Sequence, residues 1–579
     1  MGALARRCLQ ARRRLSEQRG QLHAPRCRRR HLALLMRTAI GVREMNSQAS
    51  NGRNRNWSQA LLESAVLTSA LLMASGVVLA NAPVVSEAPK LVKGLQQAKT
   101  YTITSPPTAP LEMAKPVLPD LSGYTAEAAL KKIVRNKPGK VTVARMMEET
   151  GLKEFIGGDN KMAEWVTRQR GIPQAIMISD GYVSLQDLAK KVPRQFLDEV
   201  SPGVYVARLP ILVKETGIFE IDSRTKELRL SQEKGSFIVS EGKMLITHTQ
   251  VNAWSEARNG LAAYRKPDEF RPFLLTWGGS ETWIANTKMA SMGYDQSKSY
   301  GISISQYTPN TAKILKRPEP TGWIIDSEFS DLWYGFYCYE TRDFVVKGNT
   351  YRDNIVYGID PHDRSHGLII AENDVYGTKK KHGIIISREV DNSFIFRNKS
   401  HNNKLSGVVL DRNSVGNIVA YNEIYQNHTD GITLYESGNN LLWGNRVIAN
   451  RRHGIRVRNS VNIKLYENIA TANGLMGVYG HIKDLSDTDR DIELDPFDAQ
   501  VSLIMVGGEL AGNGSGPLSI DSPLSVELYR VSMLMPTKEV GISLNGVLGD
   551  RQDEILDLLV RQKKAVLIDP VESQTELRE

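Results

Sequence analysis

Cysteine is almost missing from this chain of 579 residues, which contains three. Cys8 and Cys27 lie in the first stretch, leaving Cys338 alone in the rest. One thiol can form neither an internal disulfide nor a multi-cysteine zinc site. Cys338 falls in the aromatic run 333–339, where a packed core thiol is expected. Long apolar runs are also scarce. The one stretch that qualifies, 65–79, is charge-free but about fifteen residues long, short of the roughly 20 that a bilayer requires. It follows Arg53 and Arg55 and ends at Ala80-Asn81-Ala82, a small-x-small pattern. A secretory signal over 45–82 is therefore expected, cleaved after Ala82. Met45 is the expected true start, and 1–44 reads as a mis-called extension.

A one-sided charge is lacking too. The formal net charge is +10, but residues 1–82 hold fourteen Lys and Arg against three Asp and Glu. The remainder carries sixty basic and sixty-one acidic residues. A near-neutral mature chain removes the electrostatic case for nucleic-acid binding. No membrane association is expected after signal cleavage. Calcium motifs are equally deficient. Asp487-Thr488-Asp489-Arg490-Asp491 opens like a calcium loop, but Ile492 stands where the turn needs glycine and no distal Glu follows. Gly-rich calcium nonapeptides are absent. No metal or other cofactor is expected. Gly512-Asn513-Gly514-Ser515-Gly516 lacks the Lys-Ser/Thr of a phosphate loop.

What the chain does have is a period. Glycines followed by an apolar residue recur at Gly335, Gly358, Gly383, Gly407, Gly431, Gly454 and Gly477. Polar residues end short apolar runs at Asp326, Asn349, Asn373, Asn398, Asn422, Asn445 and Asn468. A second asparagine series comprises Asn354, Asn403, Asn427, Asn450 and Asn473. Runs such as Phe394-Ile395-Phe396 and Ile463-Lys464-Leu465, divided by Asn and Gly, are strands and turns. Stacked coils of 23–25 residues follow: an all-β, right-handed parallel β-helix with Asn ladders. Weaker coils extend upstream through Trp283 and Gly301, with an insertion around 293–320. The expected division is an N-terminal cap or accessory region at 83–235, the β-helix at 236–495 and C-terminal capping coils with a helix at 496–579. Helical stretches are expected at 125–135, 144–155 and 551–562, and strands near 203–213.

Stacking turns sequence offset into adjacency, because strands lie about 4.8 Å apart. Four residues past each glycine stand Tyr339, His362, Ser387, Asp411, Tyr435, Arg458 and His481. Five past stand Glu340, Asp363, Arg388, Arg412, Glu436 and Asn459. Two past stand Tyr337, Asp360, Ile385, Val409, Thr433, Arg456 and Tyr479. The third position is of buried type. One strand per coil thus displays a titratable column outward, either a carbohydrate-processing groove or a decorated surface. Its sharpest point is Gly358-Ile359-Asp360-Pro361-His362-Asp363-Arg364. A carboxylate beside a histidine can fix its tautomer for use as a base. An arginine one coil away can grip a substrate carboxylate. That pair suits proton abstraction beside a carboxylate. An ion-paired turn joining Asp360 and Asp363 to Arg364 and Arg388 explains the same residues.

The runs YGIDPHDRSHGLII (357–370) and KKKHGIIISREV (379–390) resemble the periplasmic mannuronan C5-epimerases of alginate-producing pseudomonads. The resemblance extends from about Met45 to the C-terminus. It implies an isomerase that converts mannuronate to guluronate within alginate, located in the periplasm. It implies His362 as the base, Arg388 as neutraliser of the uronate carboxylate, and Asp360 and Asp363 as positioning or hydroxyl-binding groups. Water, or else Tyr339 or Tyr435, would return the proton. Arg364, Lys381, Arg412, Arg456, Arg458, Tyr339 and Tyr435 are candidates for substrate binding; Lys379 and Lys380 stand beside them, and His382 and His453 read as turn residues. The polysaccharide is one expected partner; other components of the export machinery are a second. An alginate lyase and a non-catalytic alginate-binding scaffold remain open on pattern alone.

Overall fold

The computed structural model describes residues 100–106, 114–149, 152, 159–493, 495–534 and 544–571. The expected signal and N-terminal extension lie outside them. The helix expected at 144–155 lies partly outside as well. The part within 144–149 is the end of a strand, Lys140–Arg145, followed by a short turn of helix at Met146–Glu148. Among the described residues no helix is long and apolar enough to cross a membrane.

Each repeat contributes three short strands, and strands of successive coils pair in parallel to give three long sheets. The chain is a right-handed parallel β-helix. One sheet, here called the site sheet, includes Tyr334–Tyr339, Tyr357–His362, Ile384–Ser387, Val408–Asp411, Ile432–Tyr435, Ile455–Arg458 and Met476–His481. Parallel pairing on it starts with Gln174–Ser179 against Ile211–Val213 and ends with Gly516–Ile520 against Asn545–Gly546. Coils therefore extend beyond the 236–495 span on both sides. Strands Val204–Ala207 and Ile211–Val213 are part of them. The region upstream also carries a short helix, Ala126–Leu130, capped by the Thr125 side chain. Near the C-terminus a helix at Gln552–Leu556 continues as a wider turn to Arg561. The insertion around 293–320 contains one more strand of the site sheet, Gly301–Ser305, and the helix Pro309–Leu315.

The interior is one continuous apolar column. Ile359, Ile384, Val408, Ile432, Ile455 and Val478 are fully buried within it. Each such side chain contributes roughly 1.5–3 kcal/mol by leaving water. Apolar burial sets no register along the axis, since neighbouring coils offer similar surfaces. The asparagines do. Asn349, Asn373, Asn398, Asn422, Asn445 and Asn468 are buried, and each of the first five donates from its amide Nδ2 to the next Oδ1 at 2.9–3.0 Å. The same Oδ1 accepts the backbone N–H of the preceding rung, as from Asn398 to Asn422 at 2.9 Å. Ser327 occupies the rung before Asn349, so Asp326 falls one residue off the ladder that the spacing suggests. Its backbone is left-handed at the corner.

A second ladder runs through Asn403, Asn427, Asn450, Asn473 and Asn513. It explains the glycine series. A Cβ at Gly407 would stand 2.6 Å from Asn427 Nδ2 and 3.1 Å from the carbonyl of Gly431. These glycines answer a close approach between coils.

Replacing Asn422 by Ala removes two ladder bonds and leaves the buried N–H of Asn398 without its acceptor. The expected loss is about 1–3 kcal/mol, read as a lower midpoint in urea unfolding. An unchanged midpoint would contradict the ladder as the register device.

Candidate active site

Strand pairing places the column as its spacing requires. Tyr339 pairs with His362, His362 with Ser387, Ser387 with Asp411, Asp411 with Tyr435, Tyr435 with Arg458 and Arg458 with His481. Alternation sends Cys338, Ile386, Leu410 and Val457 into the core. Cys338 is fully buried, and burial pushes its thiol up to about 12.

The column five residues past each glycine shares a backbone feature. Glu340, Asp363, Arg388, Arg412, Glu436 and Asn459 all have φ between +34° and +60°. This left-handed corner ends the strand and swings its side chain beside the preceding residue. Asp363 can consequently face its own neighbour: Asp363 Oδ2 lies 2.5 Å from His362 Nδ1. Arg388, one coil on and about half exposed, has Nη1 at 3.9 Å from Asp363 Oδ1.

Asp360 differs. It is 2% exposed, and its Oδ1 finds no hydrogen-bond donor among the described residues. The ion-paired turn is thus incomplete, since Asp360 joins neither arginine while Asp363 approaches Arg388. Burial pushes the Asp360 carboxyl up to about 7, against the pull of His362 and Lys381. Burial acts on Asp363 as well, but the hydrogen bond and charge of His362, with Arg388 and Arg364, hold it below its usual range. Burial alone would lower His362. The Asp363 hydrogen bond and the charges of Asp360 and Asp363 outweigh it and raise the imidazole above its ordinary value.

These groups open into a cleft of about 310 Å³. Tyr337, Tyr339, Asp360, His362 and Asp363 form one side. The Tyr337 ring centre stands 5.9 Å from that of His362. Ser297, Lys298, Tyr300, Thr308 and Pro309 supply the other side. Lys298 places Nζ 4.0 Å from the centre of the Tyr339 ring and donates to the Gln306 carbonyl at 2.7 Å. Sequence reasoning missed these residues of the insertion, which has no periodic offset to count from. Alternation alone places Tyr337 outward.

The remaining candidates are distributed along the face. Arg364 donates to Glu340 at 2.6 Å and to the Tyr339 hydroxyl at 3.1 Å. Lys381 donates to the Tyr357 hydroxyl at 3.2 Å at the edge of the site. Lys379 pairs with Asp331, and Lys380 donates to the Tyr264 hydroxyl. Arg412 pairs with Asp495 at 3.4 Å. Arg456 reaches the Tyr435 hydroxyl at 3.3 Å and His481 Nε2 at 3.1 Å. Arg458 lies over the Tyr435 ring and donates to Glu436 at 2.9 Å. Glu436 is also held by Arg490. Tyr435 stands three coils from His362, about 14 Å at the usual strand spacing, so it cannot return a proton to the same sugar. His382 and His453 accept backbone N–H bonds at Nδ1, and burial pulls both down to about 4. Among the described residues no group of three or more His, Cys, Asp or Glu is placed to hold a metal ion.

Residues 334–482 match the family model for a right-handed β-helix region. A mannuronan C5-epimerase of Pseudomonas syringae pv. tomato is 92% identical over 536 residues, covering 92% of this chain and all of that protein. The mannuronan C5-epimerase of Pseudomonas aeruginosa is 63% identical over 525 residues, covering 90% of this chain and 97% of its own length. A crystal structure of the periplasmic alginate epimerase AlgG is 92% identical, with a TM-score of 0.72, and covers 74% of this chain and all of that one. With identity this high over nearly the full length of its relatives, the chain belongs to the mannuronan C5-epimerase family.

Proposed function

We propose that the cleft around His362 carries out polymer-level C5 epimerisation, converting β-D-mannuronate residues of alginate to α-L-guluronate. The observation that carries the assignment of roles is the His362–Asp363 pair in the cleft, with the Arg388 guanidinium 3.9 Å from Asp363. Asp363, held ionised, accepts a hydrogen bond from the Nδ1–H of His362. That fixes the tautomer whose Nε2 lone pair is free to take H5. Arg388 is half exposed and only loosely engaged by Asp363, so its guanidinium is available for a uronate carboxylate. Loss of H5 pushes charge onto that carboxylate as an enolate-like intermediate, and the arginine stabilises it where it develops. A proton from cleft water returns to the opposite face of C5. Asp360 lines the same cleft and acts through the imidazole: when ionised, its charge favours the imidazolium that forms after abstraction.

Arg364, Lys381, Arg412, Arg456, Arg458, Tyr339 and Tyr435 are proposed to meet neighbouring sugars. The solved relatives are periplasmic alginate epimerases, and we place this chain in the same compartment, working beside other components of the alginate export machinery. Co-purification from the periplasm under mild cross-linking tests the second part; recovery of the free chain alone would oppose it.

Polymannuronate incubated in D₂O should yield guluronate signals carrying deuterium at C5, followed by proton NMR. His362→Ala should lose about 10²–10⁴-fold in rate, the usual worth of a general base. Unsaturated chain ends in place of guluronate would indicate a lyase.

Replacing Arg388 by Ala should lower kcat by about 10²–10³-fold, the scale of removing a preorganised charge-stabilising donor. A variant of normal kcat would remove Arg388 from the reaction.

The pH profile has a definite sign. His362 must be neutral to accept a proton, so kcat/KM falls as pH drops through its raised pKa. Asp360, pushed up by burial to about 7, interacts with the imidazole, so the acid limb reports the coupled pair. Asp363→Asn removes the largest influence raising His362, so the limb should move to lower pH. A shift to higher pH would contradict the assigned pairing.

A further inference from the structure

The outward face of the site sheet is not open along its whole length. The positions in register with Tyr337 and Tyr339 on the preceding coil are Ser303 and Ser305. Before them come Leu275 and Trp277, and then Val239. All five are at most 1% exposed although they point away from the core. Leu275, Trp277 and Val239 belong to a separate apolar cluster with Trp165, Phe270 and Tyr307. Helix Asp159–Gln169 supplies Trp165, and helix Pro309–Leu315 packs Ala312 and Leu315 against the same cluster. Together they roof the upstream coils.

This roof is built as core. Trp277 meets Tyr307 at 5.4 Å between ring centres, Trp165 meets Phe270 at 5.2 Å, and the Tyr307 hydroxyl donates to Glu241 at 2.9 Å. Lifting it would expose several aromatic faces to water, each a large apolar area. Its lip, formed by Lys298, Thr308 and Pro309, borders the cleft that holds His362. Only the coil Tyr334–Tyr339 separates His362 from the roofed strands. Downstream, Ser387, Asp411, Tyr435, Arg458 and His481 continue the column, and none of them belongs to the roofing cluster.

We propose that the groove is closed one coil upstream of His362, so that the polymer is held asymmetrically. The sugar being epimerised sits at the closed end, at most one further sugar fits between it and the roof, and several lie downstream. One coil of about 4.8 Å is close to the length of one linked pyranose, so the count follows from the coil count. The inference rests on the C5 chemistry proposed above and adds the chain's placement on the enzyme.

The test uses the wild-type protein and decamannuronate marked with ¹⁸O at the reducing end. After brief incubation in D₂O at low conversion, fragment mass spectrometry locates deuterium along the oligomer. Deuterium confined to the two residues nearest one end is the expected result. Label centred in the oligomer, or equal from both ends, overturns the closed-groove proposal while leaving C5 abstraction standing. No deuterium at any position sinks the chemistry itself, and the placement with it.

Discussion

Register between coils is the constraint on which everything else in this molecule depends. In a parallel stack the side-chain period along each strand is two, so a slip of one residue would turn every outward group inward. Here such a slip would carry His362 and Asp411 into the apolar column and put Ile386 and Leu410 on the surface. The buried asparagines forbid it, because each amide must meet both the amide and the backbone of its neighbours. A displaced rung would leave several buried polar groups unsatisfied at once, a much larger loss than one hydrogen bond. The site is therefore assembled by the ladder on another face of the helix, through no direct contact with it.

The two carboxylates that flank His362 show how one strand creates two environments. Asp360 is within the strand, on the outward face but covered by cleft tyrosines, and burial keeps its proton near neutrality. Asp363 sits past the end of the strand, where the left-handed corner turns it toward the imidazole and toward Arg388. Its charge is retained because both partners are cationic or can become so. Pairs of acids pushed apart in this way take different roles in proton-transfer sites. The separation arises from three residues of chain and one change of backbone hand.

Much of this was legible in the sequence, and the reason is the repeat. Once Gly358 and Gly383 are aligned, the neighbours of His362 on the column are fixed by counting, and strand pairing gives the same rungs. Counting fails where periodicity fails. Asp326 resembles a ladder residue because it ends an apolar run, yet Ser327 makes the bond. Lys298, Thr308 and Pro309 come from an insertion whose path no repeat dictates. The upstream coils before 236 are hidden because they lack the Asn and Gly spacing, and their outward positions are apolar for the sake of the roof. Left-handed corners at Glu340 and Arg388 are also unannounced, since neither residue type favours positive φ, whereas Asp363 is of a type that does. Stacking corners force the geometry on whatever residue stands there.

The downstream face resolves an apparent conflict between the near-neutral residues 83–579 and a polyanionic substrate. Cations at consecutive coils, such as Arg388 and Arg412, would repel one another by roughly 1 kcal/mol in water and by several times that at lower dielectric. The fold interleaves acids with them: Asp363 beside Arg388, Asp495 beside Arg412, Glu436 beside Arg458 and Asp430 beside Arg456. These pairs keep the empty face electrically balanced and its side chains extended. Arg388 and Arg412 remain about half to one-third exposed, where an ion pair contributes little net stability. A substrate carboxylate can thus replace an internal one at small cost, while Arg490, clamped on buried Glu436, stays as fixed structure. On the proposed reading, recognition of the polymer depends on local exchange of carboxylates at spaced guanidinium groups, with no strong long-range field from residues 83–579, whose acidic and basic contents are nearly equal.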